Sequence, residues 1–556
     1  MRGWTRTVVA AVAAASMALP AVAGAQTPGH KVDRVVPFSV QGDDGARLRG
    51  HVYLPDKAGP LPTVLNLTPY LGTSSANKAT NGRMNGQYGP MLEAGYAIAF
   101  VSMRGTGRSE GCQQFGGEQD QRDAHTVIEA LADAPWSNGR IGMYGLSYDA
   151  FSQFLAMAAK PPSLKAVVPM SGVIDLWSLL TRRGAAFQIA GPLFAPAWAA
   201  QTSLAVADPV AAQHAACQNN LTSTIDNLQL QFGADRSPWF VERDLRDDIA
   251  GSDIPAFVTN GMSMLRMPGT AQEGHILQFE GLWDLLRKDR TRFMLGQWPH
   301  SWPTNRPDFY TKVLDFYDEH LKGEPRKLEM GVVEYQDSQG GAWHTADRWP
   351  PNRRTARLHL SGERIVAEKA QVVDSDRRFQ SADHDPGLRM QPQNDPSDGK
   401  PYMSPCGPTQ VLYVSPPLAE DVHLAGEFDV ELTVSSTLPG GNFAFFLHRT
   451  TGTGACPDDK AVDTGRAILD LQHFKVPGKS EPFPVGHPTR LRFHSHPMSA
   501  MLRKGERLVV AIGGGASEVT VDQLAPVITV HTGPGTAGSF TLPVESGTLR
   551  FQEATR

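Results

Sequence analysis

Ser147 is the residue whose setting points most directly to chemistry. It sits in Gly145-Leu146-Ser147-Tyr148-Asp149-Ala150, between an apolar run at 141–144 and a segment at 148–160 with apolar residues at helical spacing. A serine at a strand-to-helix turn is pushed out at the end of a sheet. It also lies at a helix N-terminus, where backbone N–H groups can meet a developing oxyanion. This is the nucleophile-elbow pattern G-x-S-x-G, in which small residues flank a strained turn. Here the last small residue is Ala150, one place late. A bare G-x-S is common, and capping a helix is the ordinary task of such a serine; the strand–turn–helix setting favours the nucleophile. A base for it is offered by His300, in Gln297-Trp298-Pro299-His300-Ser301, just past a late apolar run at 292–296. Alone it reads as a loop histidine, but downstream of a serine elbow it stands where this topology places its general base.

Other candidate groups are weaker. The loop Arg104-Gly105-Thr106-Gly107-Arg108-Ser109-Glu110-Gly111 suggests phosphate binding at first sight. It lacks the Walker lysine and the dinucleotide glycine spacing, so it reads as a structural loop beside the active site. His494 and His496 share one strand face and could hold a metal, but no third ligand is evident.

The elements that must position these groups alternate in type. Residues 35–40 and 48–54 are alternating strands around the turn 42–45, an antiparallel entry to a sheet. Residues 62–67, 96–102, 164–170 and 255–260 are near-continuous apolar strands, as buried parallel strands are. Helices are expected at 120–133, 278–286 and 309–321. The pattern predicts an α/β fold with a largely parallel sheet covered on both faces. From 175 to 250 the alternation stops and Trp177, Phe187, Phe194, Trp198, Trp239 and Phe240 appear among Ala-rich stretches. This predicts a helical cap insertion, with the aromatics equally suited to lining an acyl pocket or filling core. From about Met330 the period becomes two: Phe428, Val430, Leu432 and Val434 alternate with Glu427, Asp429, Glu431 and Thr433. Short strands also fall at 491–494, 507–512 and 527–530, which predicts a β-sandwich. The expected division is a first core part at 26–174, the cap at 175–250, a second core part at 251–325 and the sandwich at 326–556.

Length and composition set the frame. A chain of 556 residues favours two or three domains, and a net charge of −5 is too mild to argue for nucleic acid or an acidic membrane. Arg2 and Arg6 precede an apolar run at 8–23 and the cleavage pattern Ala23-Gly24-Ala25. Residues 1–25 therefore read as a signal peptide, and the mature chain is expected in the periplasm or the medium. No later stretch is long and apolar enough to span a bilayer. Cys112, Cys217, Cys406 and Cys456 suit that compartment and allow three pairings. Pairing within regions gives Cys112–Cys217 and Cys406–Cys456; the spacing shows no metal pattern.

The run PWSNGRIGMYGLSYDAFSQFLAMAAKPPSLKAVVP at 135–169 resembles the cocaine-esterase and X-Pro dipeptidyl-peptidase group of α/β-hydrolases. RGTGRSEG at 104–111, TPY at 68–70 and GQWPH at 296–300 match its other landmarks in order, and 409–418 through 503–512 is similar to its C-terminal jelly roll. The resemblance implies an α/β-hydrolase doubly wound sheet with a cap and a jelly-roll β-sandwich. It implies Ser147 as nucleophile, His300 as base, and the Tyr70 hydroxyl and the Tyr148 backbone N–H as oxyanion donors. Three departures stand out. Ala150 replaces the usual Gly, and Met103 replaces the usual Asp before the R-G-x-G loop. The triad acid aligns with Met264, and no carboxylate occurs from 261 to 272. Glu273 is the next carboxylate and the best candidate for the acid; Asp284 is a second, on a helix expected to face away.

The implied activity is exported serine hydrolysis of a carboxylic ester or amide, with neither metal nor organic cofactor required. Its partner is a small-molecule ester, amide or short peptide, and a homo-oligomer is left open. X-Pro dipeptidyl-peptidase and α-amino-acid ester hydrolase are the runners-up. A dipeptidyl-peptidase needs carboxylates that hold a substrate's free amine, for which the cap offers Asp208, Asp226 and Asp235 without marking them as convergent. A binding protein that has lost its acid is the reading from another class.

Overall fold

A computed structural model describes residues 29–71, 83–182, 184–186, 235–262, 281–298, 300–303, 306–338, 341–381, 410–452, 462–514 and 525–552. Strands β1 (Val32–Gln41) and β2 (Arg47–Pro55) pair antiparallel around the 42–46 turn, where Gly45 takes φ 87°. Then come β3 (Leu61–Thr68), β4 (Ala97–Ser102), β5 (Ser137–Leu146), β6 (Leu164–Met170), β7 (Ala256–Gly261) and β8 (Thr291–Gly296), mutually parallel. Every residue of β3, β4, β7 and β8 is buried. That is why these segments read as continuous apolar runs: a parallel strand covered on both faces has no solvent side.

Among the described residues the sheet has ten strands in the order β1-β2-β4-β3-β5-β6-β7-β8-β9-β10, the last two being β9 (Val332–Gln336) and β10 (Trp343–Ala346). Helices α1 (Glu118–Ala132) and α2 (Tyr148–Ala159) cover one face, with Val127, Ile128, Phe151 and Phe154 packed on Leu65, Ala99 and Met143. The other face is covered by α3 (Phe309–Tyr317) and the turns around Tyr88 and Met91, packed on Val64, Ile98, Tyr144 and Met294.

The last two strands correct the expected domain boundary at 325/326. β9 (Val332–Gln336) runs parallel to β8, and β10 (Trp343–Ala346) closes the edge antiparallel to it. Both belong to the first sheet, and the sandwich strands begin at Thr355. The buried Glu334 on β9 explains the misleading alternation. Its carboxylate meets Arg292 at 3.1 Å, Arg306 at 3.2 Å and Lys312 at 3.0 Å, so a charge sits inside a buried strand.

Among the described residues thirteen further strands enclose the second core. In Asp429–Ser436 the residues Val430, Leu432 and Val434 are buried and alternate with more exposed ones, as the period of two predicts.

Of the cap, the described residues hold short helices at Leu176–Leu180, Pro238–Val241 and Arg246–Ile249 and a two-residue hairpin, Thr181–Arg182 with Ala185–Ala186. Trp177 and Phe240 join the core under the sheet, and Arg243 lies 4.1 Å from the half-buried Trp239 ring. Phe187, Phe194 and Trp198 lie outside the described residues, as do the signal segment and Cys217, Cys406 and Cys456. Cys112 is disulfide-bonded. Among the described residues no helix is long and apolar enough to cross a membrane.

Candidate active site

β3, β5 and β8 are parallel, so Tyr70, Ser147 and His300, which follow them, leave the sheet at the same carboxyl edge. Open α/β sheets bind their ligands at that edge.

Ser147 joins β5 to α2 with φ 68° and ψ −122°, a left-handed backbone that a β-carbon disfavours. Its N–H bonds Met170 O at 2.9 Å, tying the turn to the neighbouring strand. The flanking small residues are forced by contact. A β-carbon on Gly145 would lie 2.4 Å from that of Asp149, and one on Gly172 would lie 2.9 Å from that of Ala150. Ala150 is fully buried, and the bare backbone of Gly172 across the contact gives its methyl room.

Two donors meet at this serine. The Tyr70 hydroxyl donates to Ser147 Oγ at 3.4 Å, and the backbone N–H of Tyr148 bonds the same tyrosine oxygen. Burial, aided by the nearby Asp149 charge, pushes the Tyr70 hydroxyl up to about 12, so it keeps its proton at any working pH. Beneath lies a polar set that motif reading did not single out. Arg83 Nη1 donates to Asp149 Oδ2 and to Asn66 Oδ1, each at 2.7 Å, and its guanidinium lies 5.8 Å from the Tyr70 ring centroid. The available signal was Asn66, a polar residue inside an apolar strand.

The 104–111 loop is structural, as expected. Arg104 is buried and ion-pairs Asp123 at 2.7 Å and Asp44 at 2.9 Å, and Ser109 Oγ bonds Ser102 O. Met103, in place of the usual Asp, is core. Just beyond the loop, Gln113 Nε2 donates to the Tyr148 hydroxyl at 3.1 Å, bracing the residue after Ser147.

His300 is buried, and burial pushes its imidazole down to about 4. The ring is thus neutral near pH 7, the state a base needs. Aromatic packing fixes its loop. Gly296 has no side chain because the Trp298 ring fills that space, with a β-carbon there only 1.7 Å from it. Trp298 packs on Trp343 of β10, and Trp302 lies 5.3 Å from Tyr144 on β5. Gln297 N and Nε2 donate to Gln336 Oε1 and O at 3.0 and 3.1 Å. The His300 loop is therefore fastened both to β5, the strand that ends at Ser147, and to β9.

Glu273 and Met264 lie outside the described residues. Asp284, on the short helix Leu282–Leu285, is 81% exposed and pairs with Lys288, so it faces solvent. Of the cap aspartates, Asp235 accepts from the backbone N–H of Ser480, while Asp208 and Asp226 fall outside the described residues. His494 and His496 belong to no group of three metal-type donors; among the described residues that group is Asp337, His344 and His423.

Residues 44–302 match the family model of the X-Pro dipeptidyl-peptidase (S15 family), and residues 329–533 match that of the X-Pro dipeptidyl-peptidase C-terminal non-catalytic domain. The chain is a serine hydrolase of the cocaine-esterase and X-Pro dipeptidyl-peptidase family. It is 23% identical to a cocaine esterase from a Rhodococcus species, over 90% of this chain and 96% of that one. Among solved structures it superposes on an aminopeptidase from a marine-sediment thaumarchaeon with a TM-score of 0.75 at 16% identity, covering 95% of this chain and 99% of the other. An α-amino-acid ester hydrolase gives 0.70 at 19% identity, covering 95% and 98%. At such identities the two superpositions speak for the shared fold.

Proposed function

We propose that the chain is an exported serine hydrolase that cleaves a carboxylic ester, or an amide, through a covalent acyl-enzyme. The observation that carries this is the convergence of the Tyr70 hydroxyl and the Tyr148 N–H at Ser147, on the edge from which His300 also leaves. Ser147 Oγ attacks the carbonyl carbon while His300 takes its proton. The carbonyl oxygen becomes an oxyanion held by Tyr70 Oη and the Tyr148 amide. His300 returns the proton to the leaving alcohol or amine, and water, deprotonated by the same ring, releases the acid. Glu273 is the carboxylate we assign to orient the imidazole.

An ester is preferred over an X-Pro peptide. The Rhodococcus relative is named for ester cleavage, and Asp235 is engaged by Ser480 rather than left to hold a substrate amine. Export is supported by the 1–25 segment and by the disulfide at Cys112, which suits an oxidising compartment.

A fluorophosphonate probe tests the class. Labelling of the intact protein that vanishes in Ser147→Ala is the expected result; an unlabelled, folded protein would mean a binding module. A panel of p-nitrophenyl esters beside Xaa-Pro anilides tests the substrate. Faster turnover of the anilides would replace the esterase reading with the dipeptidyl-peptidase.

A further inference from the structure

A second polar cluster lies where the two halves of the chain meet. Asp337 follows β9, and His344 lies on β10. His423 comes from the sandwich strand Val422–Gly426, and Ser499 from Met498–Leu502, which pairs with it antiparallel. Asp337 Oδ1 meets His423 Nε2 and Ser499 Oγ, both at 2.7 Å, and Oδ2 meets His344 Nε2 at 2.9 Å. One donor atom from each of Asp337, His344 and His423 lies within 4.8 Å of the others.

The surroundings hold these groups in place. The ring of Tyr335 stacks with His344 at 5.2 Å and with His423 at 6.2 Å. The turn after Asp337 is closed by its own N–H to Ala342 O at 3.0 Å and by Gly341 N–H to Asp337 O at 3.2 Å. Asp337 and His423 are buried, whereas His344 is partly exposed and leaves a route from solvent.

The donor set is the decisive consideration. Asp337, His344 and His423 come from separate segments, yet each offers one ligand atom to the same small region, and two of the three are buried. Among the described residues the ion-pair partners of Asp337 are the two imidazoles, with no lysine or arginine among them. Two imidazole nitrogens and one carboxylate oxygen are the donor set of borderline-soft divalent ions, zinc above all, with a fourth position for water or a hydroxyl.

We propose that Asp337, His344 and His423 form a binding site for a zinc-class divalent ion that clasps the β-sandwich to the edge of the catalytic sheet. On binding the ion, each ring would give up its Nε2 proton, now shared with the Asp337 carboxylate, present that lone pair to the metal and keep a proton on Nδ1. Ser499 Oγ stands beside the carboxylate as a fourth donor atom. The ion would also steady the base: Gln336, next to Asp337, carries the two hydrogen bonds to Gln297, and Trp343, next to His344, packs on Trp298.

The test uses the full chain, stripped with a chelator and titrated with Zn(II) and with Co(II). One equivalent of zinc by elemental analysis is expected, with a visible Co(II) d–d band and a melting temperature that rises on loading. His344→Gln, at a half-exposed edge, and His423→Gln should each weaken binding at least tenfold and bleach the band, with circular dichroism reporting that the variants fold. Absence of both zinc and the band in the intact protein would overturn the site. So would binding indifferent to both substitutions. A protein that melts earlier in the variants yet never responds to metal would make the cluster a hydrogen-bonded clasp alone.

Discussion

The serine elbow and the Asp337 junction each gather polar groups from distant segments, and they do so by opposite means. At the elbow the backbone does the positioning. Parallel strands end at one edge, a positive-φ turn lifts Ser147 clear, and a backbone N–H serves as donor. At the junction regular strands and one turn present side chains across an interface, and their mutual attraction holds the group together. A site built on strained backbone tolerates few sequences and leaves a local pattern. A site built from side chains on regular strands leaves none.

The two regions should therefore fail differently. The largest effect is expected for Ser147→Ala and His300→Ala. Each should lower ester turnover by about 10⁶, while circular dichroism and the melting temperature stay near those of the parent. A large loss of stability in either would break the contrast. Glu273→Gln should cost on the order of 10⁴ in kcat, by analogy with removal of a triad acid. Its pH profile is more telling. A carboxylate at His300 favours the imidazolium and raises the acid limb of kcat/KM; without one, burial alone sets the limb near pH 4. The limb should thus lie above 4 in the parent and move down towards it in Glu273→Gln. An unmoved limb would assign the acid elsewhere. Tyr70→Phe removes one oxyanion donor and should cost roughly 10²–10³ in kcat, with KM little changed. Because its hydroxyl titrates only at about 12, the parent should show no alkaline limb from Tyr70 below about pH 11. Smallest for catalysis is His344→Gln, whose ester turnover should stay within about threefold of the parent while its melting temperature falls. A collapse of turnover there would tie the junction to the chemistry far more closely than the contrast allows.

The elbow was legible because Gly145 is required by its contact with Asp149, just past Ser147, and because Ser147 itself falls between an apolar strand and a helix. His300 was legible because it follows a late apolar strand. The edge strand β9 was misread as sandwich. Glu334 interrupts its apolar run, and the cations that make its burial tolerable, Arg292, Arg306 and Lys312, come from elsewhere in the chain. Arg83 and Asn66 escaped for the same reason, since their meaning lies in Asp149, 66 residues after Arg83. The junction was not legible at all. Asp337 is 7 residues from His344 and 86 from His423, a spacing that matches no ligand motif. His494 and His496, close in sequence, have no third donor beside them among the described residues.

The acid on β9 also decides where the molecule can be cut. A fragment ending at residue 325 would lose β9 and β10, exposing the bare edge of β8 as a template for other chains. It would also strand the positive groups of Arg292, Arg306 and Lys312 without the carboxylate they share. Carrying the fragment on past Ala346 restores both, so the shortest soluble catalytic piece should end after that hairpin and not before it.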